Sequence, residues 1–439
     1  MTMSFSVSGK NVLVVGAARS GVAAALLLIQ RGARVTLTEM KPALEDVEAD
    51  ASLRRAGVAL QLGEHQMTTF RSSDLIVLSP GVPLDEPHVA AARSAGVPVI
   101  GEIELASRWL SGRIVAITGT KGKSTTTTLT GRMFTAGGFK ALVGGNIGTP
   151  LSTQVAQSTA DTFHIVEVSS FQLETIETFH PWIAVLLNVS ADHLDRHATL
   201  EAYAAAKARI FMNQNEQDWA VINADDPQTL ELARTARARK VHFSAAVELV
   251  PSSSIRLIGK HLVADVMAAA TVAQIAGVSR DAMVRAVESF TGLEHALEPV
   301  GSVRGVRFVN DSKATNVDAA KRAIESFDSG LVVIMGGRFK GGDLTALTAP
   351  LTARSATVIA IGEAQPLIRS AFEGVVPVQT AGTLDEAVQL GYVLAQPGGT
   401  VLLAPACASF DMFRDYAARG VAFKAAVRNL AEMKTAREQ

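Results

Sequence analysis

From Ile114 to Thr125 the chain reads Ile-Val-Ala-Ile-Thr-Gly-Thr-Lys-Gly-Lys-Ser-Thr, residue types and spacing that could bind phosphate. A glycine-bearing turn ending in Gly-Lys-Ser-Thr lets backbone N–H groups curl around phosphate oxygens at the positive end of a following helix. Lys123 would reach the β- and γ-phosphates, and the Ser124 hydroxyl would sit on Mg2+. A β-branched apolar run precedes the turn and a helix-forming segment, Thr126 to Thr135, follows it. The common phosphate loop has glycine five residues before its Gly-Lys. Here that place is Ile117, so the turn is a shorter one.

Other residues could serve the same phosphate. Glu167 ends an apolar run and precedes Ser169-Ser-Phe-Gln172; it could hold magnesium, or be a solvated strand end. Asn188-Val-Ser-Ala-Asp-His193-Leu-Asp195 follows another strand, which puts Asp192 and His193 at the same sheet edge for a metal, a phosphate or a structural role. Lys207 lies on an Ala-rich helix and, taken alone, reads as a solvated lysine. Near the N-terminus, Gly16-Ala-Ala-Arg-Ser-Gly21 stands where a dinucleotide fingerprint would, with Ala18 replacing the middle glycine. NAD(P), a structural tight turn and another diphosphate nucleotide are all open readings of it. Glu39 and Ser79-Pro-Gly-Val82 end further strands on that edge.

These residues need elements to carry them. Short apolar runs alternate with Ala-rich helical stretches nearly throughout, in three groups: 11–15, 34–37, 75–78 and 97–100; then 114–118, 165–168, 184–188 and 220–222; then 306–310, 331–335, 358–361 and 401–403. That rhythm predicts α/β units with parallel sheets covered by helices. Boundaries near Ile103 and Glu294 divide 439 residues into 1–103, 104–294 and 295–439. Pro251-Ser-Ser-Ser254 reads as the turn of a hairpin. The composition, 48% apolar and 19% charged, is globular. Lys+Arg (41) and Asp+Glu (42) cancel, so no basic field invites nucleic acid or an anionic membrane. A single cysteine, Cys407, and the absence of a signal-like N-terminus suggest a soluble cytoplasmic protein.

Together the motifs resemble the Mur ligase family, ATP-dependent amide-bond-forming enzymes of peptidoglycan assembly. The resemblance rests on Gly119-Thr-Lys-Gly-Lys-Ser-Thr125, Glu167-Val-Ser-Ser170, Asn188 to His193, Ala206-Lys-Ala-Arg209 and Asn310-Asp-Ser-Lys-Ala-Thr-Asn316. It implies three domains: a Rossmann-like N-terminal domain, a central P-loop ATPase-like parallel sheet and a C-terminal Rossmann-like domain. Ser79-Pro-Gly-Val82, Asn310–Asn316 and Ala404–Phe413 point to the branch that adds D-glutamate to UDP-N-acetylmuramoyl-L-alanine. The resemblance also implies roles. Gly119, Thr120, Lys121, Gly122, Lys123, Ser124 and Thr125, with Asp311 and Lys313, would bind ATP. Ser124, Glu167, His193 and Lys207 would hold two Mg2+, with Lys207 carbamylated to an anionic ligand. Arg19, Ser20, Glu39, Lys41, Ser79, Gly81 and Asn146 would hold the UDP substrate, Asn146 near its carboxylate. Thr315, Lys340, Ser409, Phe410 and Tyr416 would hold D-glutamate. A monomer with neither nucleic-acid nor membrane partner is expected.

The chain departs from the family pattern at three places. Leu262 and Asp265 stand where asparagines are usual, and Ala296 where an arginine is usual. Leucine makes no amide hydrogen bonds, and a lost guanidinium removes a charge-assisted contact. Rival readings are another amino-acid ligase with a similar ATP site, a nucleotide-dependent switch, and a Rossmann dehydrogenase. The Gly336–Gly342 run suits a mobile loop, from which closure of the third domain is expected.

Overall fold

The computed structural model describes residues 5–44, 46–190, 192, 196–255 and 262–436. Seventeen strands are found among them, in three sheets. The first sheet contains β1 (Asn11–Val15), β2 (Arg34–Glu39), β3 (Ala59–Leu62), β4 (Leu75–Leu78) and β5 (Val99–Gly101), in the order β3-β2-β1-β4-β5, all parallel. The second contains β6 (Arg113–Thr118), β7 (Lys140–Gly145), β8 (Thr162–Glu167), β9 (Ile183–Leu186), β10 (Trp219–Asn223) and β11 (Arg239–Phe243), in the order β11-β10-β9-β6-β8-β7. It too is wholly parallel. Its inner strands are buried on both faces, as parallel strands under helices must be: Val115, Ala116 and Ile117 of β6 and all of β9 are inaccessible.

The third sheet contains β12 (Glu298–Val303), β13 (Val306–Asn310), β14 (Leu331–Gly336), β15 (Thr357–Ile361), β16 (Val378–Thr380) and β17 (Thr400–Leu403), in the order β12-β13-β17-β14-β15-β16. Here the expectation of parallel pairing needs correction at one edge, where β12 and β13 form an antiparallel hairpin. The hairpin expected at Pro251–Ser254 is instead a 3-10 turn, Ser252–Ser254, after a parallel β10–β11 pair.

The chain forms two compact units. Met1–Ile255 and Val263–Val287 make the first, and the second contains Glu288–Gln439. Within the first unit, the two sheets are joined by a buried carboxylate. Glu104, on the helix Glu102–Ser107, accepts from the N–H groups of Glu177, Thr178 and Phe179, from the Thr178 hydroxyl and from Arg108 Nε at 2.6–3.1 Å. Burial alone would raise its pKa, but these donors outweigh it and hold the group below its ordinary value.

His164 of β8 is equally buried. One ring nitrogen lies 2.8 Å from Gln154 Oε1 and the other 2.8 Å from Ser158 Oγ, which also accepts from the N–H groups of Ser111 and Gly112. Burial pushes its pKa down from 6.5 to about 4, with Lys140 adding to the shift. The unfolded chain therefore binds the proton first on acidification, and stability falls as pH drops from 6.5 towards 4. Thermal melts should show His164→Gln losing less between pH 7 and pH 4.5 than the parent, by about 2 kcal/mol. Equal losses would show that another group governs the acid limb.

Candidate active site

In the second sheet, β6, β8 and β9 bring their C-terminal ends together, and three loops meet there. The loop after β6 turns sharply and feeds the helix Lys123–Ala136. Two of its positions need glycine. Gly122 adopts φ +81°, and a Cβ there would lie 2.0 Å from Asp265 Oδ1; a Cβ on Gly119 would lie 2.9 Å from the Leu187 side chain. Asn188, two residues beyond β9, clasps the loop from both sides. Its Oδ1 accepts from Lys121 N at 2.9 Å and its Nδ2 donates to Lys121 O at 3.1 Å. Thr120 N donates to Asn188 O, and the Thr120 hydroxyl exchanges hydrogen bonds with the backbone of Ser190.

The polar side chains converge on Glu167. This carboxylate is 2% exposed, not the solvated strand end that was also open. Ser124 Oγ donates to one oxygen at 2.7 Å and Asn146 Nδ2 to the other at 2.8 Å, while Asn146 N donates to Glu167 O. Lys123 Nζ donates to the carbonyls of Gly119 and Thr120, both at 3.0 Å. Lys207, on the helix Leu200–Ala208, overturns its reading as a solvated lysine: it is 1% exposed and donates to Gly119 O at 2.8 Å. Its ammonium lies 4.4 Å from the centroid of the Tyr203 ring, one helical turn back. Burial, reinforced by Lys123 and opposed by Asp192 and Glu167, brings its pKa from 10.5 to about 7. His193 lies outside the described residues. Thr125 follows on the same helix.

A second buried carboxyl lies against Gly122 of this loop. Asp265, on the helix Leu262–Ile275, is 5% exposed, and its Oδ2 has no hydrogen-bond partner among the described residues. Burial raises its pKa from 3.8 to about 7, against the pull of Lys123. Leu262 begins that helix.

The first sheet offers a separate edge. Its strand order reverses between β1 and β4, the place where open α/β sheets collect ligands. Ser79 Oγ donates to Gly16 O at 3.0 Å there. Glu39 is already engaged: its carboxylate accepts from Ala17 N at 2.9 Å and Lys41 N at 3.2 Å, bracing the turn. Arg19 and Ser20 open the helix Arg19–Gln30. Arg19 Nη1 reaches Gly148 O at 3.2 Å, in the loop that bears Asn146, and Arg196 Nη1 donates to Gly81 O at 3.3 Å. A cavity of about 390 Å³, lined among others by Arg108, Arg113, His180, Trp182 and Asp218, lies instead at the opposite, N-terminal ends of β6 and β9.

In the second unit the ends of β13, β14 and β17 converge likewise. Arg419 binds their three loops together and is 1% exposed. Its guanidinium donates to Ser312 Oγ and O, Cys407 O and Gly336 O at 2.9–3.3 Å. No carboxylate neutralises it through these bonds, and burial lowers its pKa to about 10. Asp311 is buried beside this junction and accepts from Leu297 N; burial carries its pKa up to about 7. Ser409 is buried, whereas Lys313, Lys340, Phe410 and Tyr416 are exposed and Thr315 is half-buried. Ala296 lies between His295 and Leu297, both at positive φ. Arg419, Asn188 and Arg196 carried no sequence signal as site residues, although Asn188 opens a quoted motif and Tyr203 stands four residues before Lys207 on one helix face.

Comparison with known proteins covers nearly the whole chain. Family models match in order: Mur ligase MurD-like N-terminal domain at residues 10–101, Mur ligase middle domain at 117–250, and Mur ligase glutamate ligase domain at 297–407. The UDP-N-acetylmuramoylalanine--D-glutamate ligase of Koribacter versatilis is 45% identical over 97% of this chain and 99% of its own length. Its namesake from Acidobacterium capsulatum is 46% identical over 95% of each chain. The solved structure of UDP-N-acetylmuramate-alanine ligase from Thermotoga maritima has a similar fold, with a TM-score of 0.58 and 19% identity over 96% of this chain and 99% of that one. The chain belongs to the Mur ligase family.

Proposed function

We propose that this chain is an ATP-dependent ligase that joins D-glutamate to UDP-N-acetylmuramoyl-L-alanine, releasing ADP and phosphate, in the cytoplasmic stage of peptidoglycan synthesis. The observation that carries the reading is the convergence of Ser124, Asn146, Glu167 and Lys207 on one phosphate loop, in a chain whose full-length relatives bear that ligase's name. Residues 1–103 then bind the UDP substrate, 104–294 bind ATP and 295–439 bind D-glutamate. The enzyme works as a monomer on small molecules, without a nucleic-acid or membrane partner.

A carboxylate resists attack by an amine because oxide would have to leave. Transfer of the γ-phosphoryl group of ATP to the L-alanyl carboxylate breaks the terminal phosphoanhydride bond and gives an acyl phosphate with ADP. The D-glutamate amine then attacks that carbonyl, phosphate leaves, and the amine loses a proton. The protein's part is positioning and charge neutralisation. Lys123 exchanges its two carbonyl partners for phosphate oxygens, and the backbone N–H groups of Gly119–Thr125 cradle them. Asn146 aligns the substrate carboxylate. Lys313 and Asp311 would serve the nucleotide, and Lys340, Thr315 and Ser409, with Phe410 and Tyr416, would hold D-glutamate.

The donor set suits magnesium, a hard cation that takes few protein oxygens and keeps its remaining places for water and phosphate. Among the described residues no cluster of three His, Cys, Asp or Glu side chains forms a metal cage. Ser124 and Glu167 would hold two Mg2+ with His193 and a carbamylated Lys207. When bound, the ions neutralise charge on the transferring phosphoryl group. Lys207 is fitted for the modification: as a neutral amine it adds to CO2, forms an N–C bond and releases one proton. Buried beside Lys123 and one turn from Tyr203, it has little access to the water that would keep it charged.

Phosphate release from ATP, with UDP-N-acetylmuramoyl-L-alanine as acceptor, tests the reading directly. D-glutamate should support release, and L-glutamate, meso-diaminopimelate and L-lysine should not. No release, or equal rates with all four amines, would refute it.

A further inference from the structure

We propose that Arg196 is a further positioning residue for the UDP-linked substrate, a guanidinium that reaches from the central sheet to the first sheet's Ser79–Gly81 turn and presents its remaining N–H groups to the substrate's anionic groups. This rests on the reaction proposed above. The geometry is that of a prearranged cation. Its Cζ lies 4.5 Å from the centroid of the Phe171 ring. Phe171 is itself fixed by parallel stacking with His197, at 5.3 Å and 6° between planes. His197 is buried, with its Nε2 3.0 Å from Ser170 Oγ and its Nδ1 3.5 Å from Glu174. A planar guanidinium held on an aromatic face loses little freedom when it binds a planar anion.

Among the described residues, Arg196 makes one hydrogen bond, to the neutral carbonyl of Gly81. A guanidinium has five N–H donors, so most of its donor capacity is uncommitted, and a carbonyl does not cancel its charge. Glu174 feels its field, but no hydrogen bond joins the two, and burial keeps that carboxyl's pKa raised. Arg19 makes the reciprocal reach, from the first sheet to Gly148 O in the loop of Asn146. Two guanidiniums thus bridge the sheets in opposite directions, one beside the turn at Ser79 and Gly16 and one beside the loop that contacts Glu167. A substrate bearing a diphosphate at one end and a carboxylate at the other must run between those landmarks. Charge-assisted, forked contacts to phosphate or carboxylate are the contacts such side chains make best.

Steady-state kinetics of Arg196→Ala and Arg196→Lys, with Phe171→Leu to remove the stacking face, provide the test. Arg196→Ala should raise KM for UDP-N-acetylmuramoyl-L-alanine at least tenfold, with KM for ATP and D-glutamate changed less than twofold. Arg196→Lys should recover part of that loss, and Phe171→Leu should show a smaller rise in the same constant. Binding of UDP alone separates the ends of the substrate: weaker UDP binding by Arg196→Ala locates the contact at the diphosphate, and unchanged UDP binding with weakened full-substrate binding locates it at the muramoyl-alanine end. An unchanged KM, or an equal rise for all three substrates, would overturn the assignment and leave a structural strap. A parent enzyme that fails to turn over these substrates would instead overturn the proposed reaction.

Discussion

Replacing Lys207 by alanine is expected to lower kcat by roughly a thousandfold or more, the scale of losing a principal electrostatic element of a transition-state site. KM for D-glutamate should change little, because that amino acid is assigned to the other unit. The reason lies in what Lys207 is in this structure: a buried amine with one carbonyl partner, near Glu167 and Asp192. As a bare ammonium it would add positive charge beside Lys123. As a carbamate it would supply the anionic ligand that the proposed magnesium site of Ser124 and Glu167 lacks. Two measurements separate these states. Short carboxylates such as acetate should partly restore the alanine variant, and CO2-depleted buffer should reduce the activity of the parent. Carbamate formation needs the neutral amine, and with a pKa of about 7 the neutral fraction falls from about half at pH 7 to about a hundredth at pH 5. Activity that survives Lys207→Ala, or that ignores both carboxylates and CO2, would remove the carbamate from the mechanism.

The second large effect is expected from Asp265→Asn, and it is a gain. Asp265 is buried under the phosphate loop, with one oxygen unpartnered among the described residues and the other against Gly122. Its carboxyl titrates near 7 in the folded chain, against 3.8 for an ordinary aspartate. Between those values the folded state binds a proton that the unfolded state has released, so the group costs stability increasingly as pH rises, with the full cost present above 7. Asparagine removes a term on the order of 2–4 kcal/mol. Melting temperature of the variant should match the parent near pH 4, rise above it through pH 7, and keep a constant advantage beyond. The same substitution should lower KM for ATP at pH 8, since it removes a negative charge from beneath incoming phosphates. A variant less stable than the parent at pH 8 would show that the carboxyl is neutralised by some other means.

The sequence made the inner framework legible and hid its margins. Every strand it failed to indicate (β3, β7, β11, β12 and β16) lies at the edge of a sheet. Edge strands are half exposed and carry polar residues or glycines, as in Arg239-Lys-Val-His-Phe243 or Glu298-Pro-Val-Gly-Ser-Val303, so neither an apolar run nor clean alternation marks them. Catalytic candidates on long motifs were legible because they follow strands that bury both faces. Residues that act through tertiary reach were not. Arg419 is one of two arginines on a helix of twenty-one residues, and nothing local marks it as the tie between three loops. Lys207 shows the reverse limit: spacing alone called for a solvated side chain, and only the packing of its helix against the phosphate loop buries it.

The Asn188 clasp on Lys121 has a consequence for how nucleotide arrives. Both peptide groups of Lys121 are held by one amide side chain of the same chain, so folding itself fixes this part of the loop. Nucleotide association should then proceed without an ordering step, with a rate set by encounter and by Lys123 leaving its two carbonyls. The Lys121 amide proton should exchange slowly with solvent in the ligand-free protein, and binding should add little to its protection.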